Sequence, residues 1–273
     1  MLTNTLVTLE LEQTQGWLTI WLNQVAQRNA LTDAMVTELL STLEAIRDDA
    51  SIRGVTLRGR GGVFCAGGDL QAFKQLATGA PEPADIYALS CRGAALFDAL
   101  NTLPQIVLVV VEGAAMAGGL GMACCADVVL ADAGATFAFT ETLIGLSPAQ
   151  IAPFVLQKVG YGMGRRLLLT AERLSAEAAL TAGLIDHVVA DERALNAAEY
   201  ALRERVLACA PGAIAETKML LRRLPTLPRE SAIDAAAQVF TNRVLSEEGR
   251  EGVAAFLAKR PPQWVVKPTS GET

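Results

Sequence analysis

Histidine is almost missing from this chain: His187 is the only one in 273 residues. A histidine-based triad or a multi-histidine metal site therefore has little to build on. His187 itself follows "TAGLID" and reads as a surface-turn residue. Cysteine is sparse and odd in number, and no two of Cys65, Cys91, Cys124, Cys125 and Cys209 have zinc-finger spacing. Reduced thiols and no metal are the expectation. Long apolar runs are also lacking. Half of the residues are hydrophobic (51%), yet no run reaches the ~20 residues that a bilayer demands. The opening "MLTNTLVTLELEQTQGW" has no basic start followed by an apolar stretch, so no secretory signal is read there. These absences predict a cytoplasmic protein without a membrane partner. No dense basic stripe exists and the net charge is −6, which argues against nucleic acid as a partner. An anionic small molecule needs only a few local cations and stays open.

What is present is a layered α/β pattern. Alternation and β-rich runs predict strands at "LVTLELE", "WLTIWLN", "GVTLRG", "IVLVVVEG" and "ADVVLADA". "LTDAMVTELLSTLEAIRDD" has apolar residues at helical spacing, with Thr32 as its N-cap. A second long helix is predicted from Asp85 to Leu103, stopping before Pro104. From Pro148 onward the pattern carries almost no strand signal and reads as successive helices. The chain thus divides into an α/β core over residues 1–195 and a helical region over 196–273, whose end "VVKPTSGET" reads as a loose tail.

Two glycine clusters interrupt that pattern, each between a strand and a helix. The first is "GRGGVFCAGGDLQAF" (59–73) and the second "EGAAMAGGLGMACCADVVLADA" (112–133). Neither contains a P-loop, and the second is a poor match to the dinucleotide-binding fingerprint. Two readings remain for the residues alone. Glycine permits close helix–strand packing, or it exposes backbone N–H groups at a helix start. Two such corners facing each other form an oxyanion hole, suited to a carbonyl that becomes an enolate.

"VFCAGGDL", then "GAAMAGGLGMACCADVVLA", then "ATFAFTETLIGLSP" resemble, in order and spacing, the enoyl-CoA hydratase/isomerase (crotonase) family. The likeness runs from "WLNQVAQRNALT" to "EGVAAFLAKRPPQW". It implies an α/β fold, a crotonase-like spiral of ββα units with a C-terminal helical region that trimerises, and a homotrimer or a hexamer built as a dimer of trimers. It implies an acyl-CoA thioester as substrate, with coenzyme A as part of it and no separate cofactor. The backbone N–H groups of Gly68 and Gly118 would be the oxyanion donors, and Glu141 the catalytic acid–base group. Ala66 and Asp69 would lie beside the adenine of CoA and Arg28 near its phosphates, while Lys259 and Arg260 would reach across to another subunit. Gly119 belongs to the same substrate-binding turn.

The resemblance is incomplete at one position. Typical hydratases of the family carry two glutamates, and the other one maps to Gly121. The expectation is a pocket cleared of charge there, with room for a branched or carboxylate-bearing acyl group. Glu141 is expected in a turn lined by Phe137, Phe139, Leu143 and Ile144, with its pKa raised. Glu112 and Asp127 read as structural acids, and Cys124–Cys125 as small apolar packing. "ETLIGLSPAQIAPFVLQKVG" resembles bacterial hydratases of 3-branched glutaconyl-CoA esters (3-methyl or isohexenyl), from leucine and acyclic-terpene breakdown, and Gln150 would help orient the water. The alternatives are a Δ3,Δ2-enoyl-CoA isomerase with Glu141 as sole proton shuttle, and a non-catalytic acyl-CoA- or RNA-binding relative.

Overall fold

The computed structural model describes residues 6–265. β1 (Leu9–Thr14) and β2 (Trp17–Leu22) form a hairpin. Gln15 and Gly16 both have positive φ (35° and 81°) in its two-residue turn, the backbone that twists with the strands. From β2 the sheet continues in parallel through β3 (Gly54–Gly59), β4 (Ile106–Val111), β6 (Val128–Asp132) and β9 (His187–Val189). A second sheet runs in the order β5 (Ala114–Met116), β7 (Thr136–Ala138) and β8 (Leu174–Ser175).

On one face of the main sheet lie α1 (Asp33–Ile46) and α3 (Pro83–Thr102). The Thr32 hydroxyl caps α1 by accepting from the Met35 N–H (3.2 Å). α3 starts two residues before the predicted Asp85, with Pro83 in its first turn, where proline's missing N–H costs nothing. α4 (Gly118–Cys125), α5 (Ala152–Thr170) and α6 (Ala176–Thr181) complete that side. α2 (Leu70–Thr78) lies outside and buries no residue.

The structure corrects the expectation of almost no strand beyond Pro148. β8 and β9 are two and three residues long, too short to show alternation, and they exist because neighbouring strands offer free edges. His187 is thus not in a turn: it starts β9, exposed and paired with Leu130.

α7 (Glu192–Ala208) covers the sheet's second face, where Leu195, Val206 and Leu207 cluster with Trp17, Leu108, Val110 and Leu130. Its Glu199 is buried and accepts from Thr56 (2.7 Å), with Arg58 and Arg203 also on its carboxylate. The division at 195/196 falls inside this helix. α8 (Pro211–Arg223), α9 (Arg229–Leu245) and α10 (Glu247–Leu257) follow, and Ala255 is their only fully buried residue. The expected tail beyond residue 265 lies outside the described residues. Among the described residues no helix is long and apolar enough to cross a membrane.

Candidate active site

β3 and β4 are neighbours, so the turns after them emerge side by side. Backbone bonds join the two turns: Phe64 N–H to Glu112 O (2.9 Å), Cys65 N–H to Ala114 O (3.0 Å) and Met116 N–H to Cys65 O (2.9 Å). Glycine is required where they touch. Gly67 has φ +98°, and a Cβ there would lie 2.9 Å from Ala117 Cβ and 3.0 Å from Met116 O. A Cβ on Gly119 would meet Cys65 Cβ at 2.7 Å and its carbonyl oxygen at 2.9 Å. The close-packing role of glycine and the exposed-donor role thus coexist, on different residues.

Gly68 and Gly118 flank that contact. Gly118 is the first residue of α4, so its N–H has no acceptor within the helix. The preceding residue, Ala117, holds φ 48° and ψ −123°, a conformation costly for any residue with a Cβ. Its N–H donates to Ala138 O (2.8 Å), which holds the turn in place. Around Gly68, the Leu31 N–H donates to Gly67 O (2.8 Å). No acceptor among the described residues takes the Gly68 N–H. Two unpaired N–H groups on adjoining turns are the donor set that a carbonyl oxygen gaining charge needs.

Glu141 opens a 3-10 turn, Glu141–Ile144, just past β7. β7 pairs with β5, the strand that enters the Gly118 turn. Glu141 is half-buried, and its Oε2 is fully buried with no hydrogen-bond partner among the described residues. Burial pushes its pKa above the ordinary carboxylate value, offset in part by its own N–H. The expected apolar lining needs one correction. Phe137 and Phe139 are buried, but Leu143 and Ile144 are exposed, at 70% and 57%, because a four-residue 3-10 turn cannot aim all its side chains inward.

The other expected site residues fall into two groups. Arg28 and Ala66 stand beside the first turn: the Ala66 N–H donates to Arg28 O (3.0 Å), and the exposed Arg28 has φ +53°. Asp69 caps α2, its Oδ1 accepting from the Gln71 N–H (2.8 Å). Gln150 donates to Ser90 Oγ (2.7 Å). Lys259 is not brought to the turns within one chain. Residues after α10 are tied instead to Arg53, which precedes β3: Arg53 donates to Trp264 O (2.9 Å) and to Cys209 O. That is the end of β3 opposite the glycine turn.

Gly121 also requires a correction. It is buried, and a Cβ there would meet Ile151 Cγ2 at 2.3 Å and Phe97 Cε1 at 3.2 Å. The missing carboxylate has left no cleared space, because Ile151 fills it. Glu112 pairs with Arg58 (2.8 Å), and Asp127 accepts from the Val107 N–H (2.7 Å) and Lys218 (2.5 Å), so both acids are structural. Burial pushes the Cys124 thiol up to about 12 and Cys125 up as well, which leaves both inert as nucleophiles. Sequence reasoning missed Asn29. It is buried with φ +55°, donates to Arg60 O (2.9 Å) and Val63 O (2.7 Å), and fastens the Arg28 loop to the first turn. An asparagine between "QR" and an apolar helix start was the available signal.

Comparison with known proteins bears on the family and the fold. The profile of the enoyl-CoA hydratase/isomerase family matches residues 12–267. Pseudomonas aeruginosa AtuE superimposes with a TM-score of 0.91 at 41% identity, covering 95% of this chain and 100% of that one. An enoyl-CoA hydratase/isomerase from Marinobacter aquaeolei gives 0.90 at 38% identity, covering 95% and 99%. The 2,3-dehydroadipyl-CoA hydratase of Escherichia coli is 30% identical over 255 residues, 92% of this chain and 95% of that protein. The fold is therefore the α/β crotonase fold with a helical C-terminal region that the resemblance implied.

Proposed function

The chain belongs to the enoyl-CoA hydratase/isomerase family, and from that membership we propose that it is a carbon–oxygen lyase adding water across the double bond of an α,β-unsaturated acyl-CoA. The observation that carries the reading is the buried, unpartnered Oε2 of Glu141, on the turn that follows the strand paired to the Gly118 corner. In this reading the thioester oxygen sits between the Gly68 and Gly118 N–H groups, which draw electrons away from C3. The Glu141 carboxylate takes a proton from water as the water oxygen bonds to C3, giving a thioester enolate. Glu141 then returns that proton to C2 and regains its charge. Arg28 meets the CoA phosphates, with Ala66 and Asp69 beside the adenine, and Lys259 serves from a second copy. Exposed apolar side chains on α9 and α10, among them Phe240 (71%) and Phe256 (83%), support a homotrimer or a hexamer.

The proposed acyl group is a 3-branched glutaconyl ester, as in leucine or acyclic-terpene breakdown. Supporting it are the "ETLIGLSPAQIAPF" stretch and a relative whose name specifies a diacid ester, 2,3-dehydroadipyl-CoA. Leu143, Ile144 and Leu146, exposed directly after Glu141, offer apolar surface for a branch. A second reading, Δ3,Δ2-isomerisation, is favoured by one observation: Ile151, not an acid, occupies the Gly121 position.

Incubation with branched and straight enoyl-CoA esters in ¹⁸O-labelled water, read by mass and NMR, separates water uptake from double-bond migration. Glu141→Gln is expected to cut kcat by ~10²–10⁴-fold while acyl-CoA still binds. A variant keeping more than about a tenth of the rate removes Glu141 from the mechanism. Because the base form is required and burial raises the pKa, kcat/KM of the wild type should fall as pH drops through a value above the ordinary 4.5. The residual activity of Glu141→Gln should lack that limb.

A further inference from the structure

Ser90, Gly93, Ala94 and Phe97 lie on one face of α3, at i, i+3, i+4 and i+7. Phe97 marks one end of this face. Its ring edge lies 3.6 Å from where a Gly118 Cβ would stand and 3.2 Å from that of Gly121. Gly93, in the middle, has open space where a side chain would be. At the other end the Gln150 amide donates to Ser90 Oγ at 2.7 Å. Gln150 immediately precedes Ile151, which fills the Gly121 position. Each member of the pair is therefore tied to the Gly118 end of α4, Ser90 along α3 and Gln150 through the chain. Seven residues of helix place Ser90 about 10 Å along the axis from Phe97.

The pair also has donors to spare. On other helices the hydroxyls of Thr37, Thr78, Thr170, Thr181 and Thr241 donate to the carbonyl four residues back. Ser90 makes no such bond among the described residues, so its O–H remains available, as does the second N–H of the Gln150 amide. Arg92, the cation nearest in sequence, is turned away to Asp33 on α1 (2.9 Å).

We infer that Ser90 and Gln150 together recognise an oxygen carried by the acyl chain several bonds beyond the thioester carbonyl, and so set specificity among acyl-CoA esters. The inference rests on the acyl-CoA reading above. A carboxylate is the preferred ligand, because a hydrogen bond to a charged acceptor is about twice as strong as a neutral one.

The test is calorimetric binding to the full chain of 3-methylglutaryl-CoA and 3-methylpentanoyl-CoA. These saturated esters do not turn over and differ only in a terminal carboxylate or methyl. The wild type should prefer the diacid ester by about tenfold or more. Ser90→Ala and Gln150→Leu should each remove most of that preference, with the Kd for 3-methylpentanoyl-CoA moving by less than about twofold. Ser90→Thr should keep it. No preference in the wild type overturns the inference. So does a preference that survives in both variants, or an equal loss of both esters, which would mark a structural role. Hydration is measured separately on the wild type. Its absence with the diacid preference intact sinks the hydratase reading and upholds the pair; hydration without that preference does the reverse.

Discussion

The two glycine turns leave neighbouring parallel strands, yet they open opposite kinds of helix. Behind Gly118, α4 buries seven of its eight residues. Behind Gly68, α2 buries none. α2 is held by the Asp69 cap and by Phe73, whose ring edge lies 2.7 Å from where a Gly68 Cβ would stand. α4 has no side-chain cap and begins instead at the strained Ala117. The two proposed donors therefore rest on different energies. Core packing fixes the Gly118 N–H, while a cap and a few local contacts hold the Gly68 side, the low-stability end of the range within one fold. One side of the proposed pair opens a helix packed into the core, and the other opens a helix that buries no residue.

The largest effect that would test this contrast is on α4. Gly121→Glu must displace Ile151 and bury a charge, so it should cost ~3 kcal/mol or more in urea unfolding. Adding Ile151→Ala to it should recover part of the loss. An unchanged midpoint for the single variant would mean that α4 is not packed into the core as described. Gly119→Ala comes next, since its Cβ would press on the Cys65 carbonyl oxygen. A loss of ~1–3 kcal/mol is expected, read as a lower midpoint at constant m-value.

Ala117→Gly should act in the opposite direction. Relief of ~1–3 kcal/mol of backbone strain exceeds the ~0.5–1 kcal/mol that glycine adds to unfolded-state entropy. The net gain should be about 1 kcal/mol, seen as a Tm higher by about 2–4 °C. A lower Tm would show that Ala117 contributes packing worth more than its strain. The smallest effect belongs to the first turn. Phe73→Ala should change stability by less than ~0.5 kcal/mol, as for a surface position. A loss matching that of Gly119→Ala would erase the difference between the turns.

Much of this arrangement was legible beforehand. The hairpin strands, β3, β4 and β6 show in alternation or in unbroken apolar runs, and α1 shows in its spacing and in Thr32. Strands β5 and β7 to β9 do not, because two or three residues carry no period. Only the stacking of α7 on the sheet buries Glu199 and pairs it with Thr56, Arg58 and Arg203. At the candidate site, Gly68, Gly118 and Glu141 are singled out by the resemblance of three motifs to the family. Gln150 is named there as well, for the water, but Ser90 and the hydrogen bond that joins the two across sixty residues are not visible.

By itself, then, the sequence determined the kinds of elements, the two glycine turns and the presence of Glu141 without a second acid at Gly121. The elements follow from side-chain period and the turns from the conformational range of glycine, while the roles of Gly68, Gly118 and Glu141 come only through the resemblance of their motifs to a family. Only the tertiary structure decided which volumes are filled. Gly121 looks like vacated space in the sequence, and Ile151, thirty residues later, occupies it. A protein interior is close-packed, so the space beside any residue belongs to whichever distant side chain the fold delivers there, and no local pattern records that neighbour.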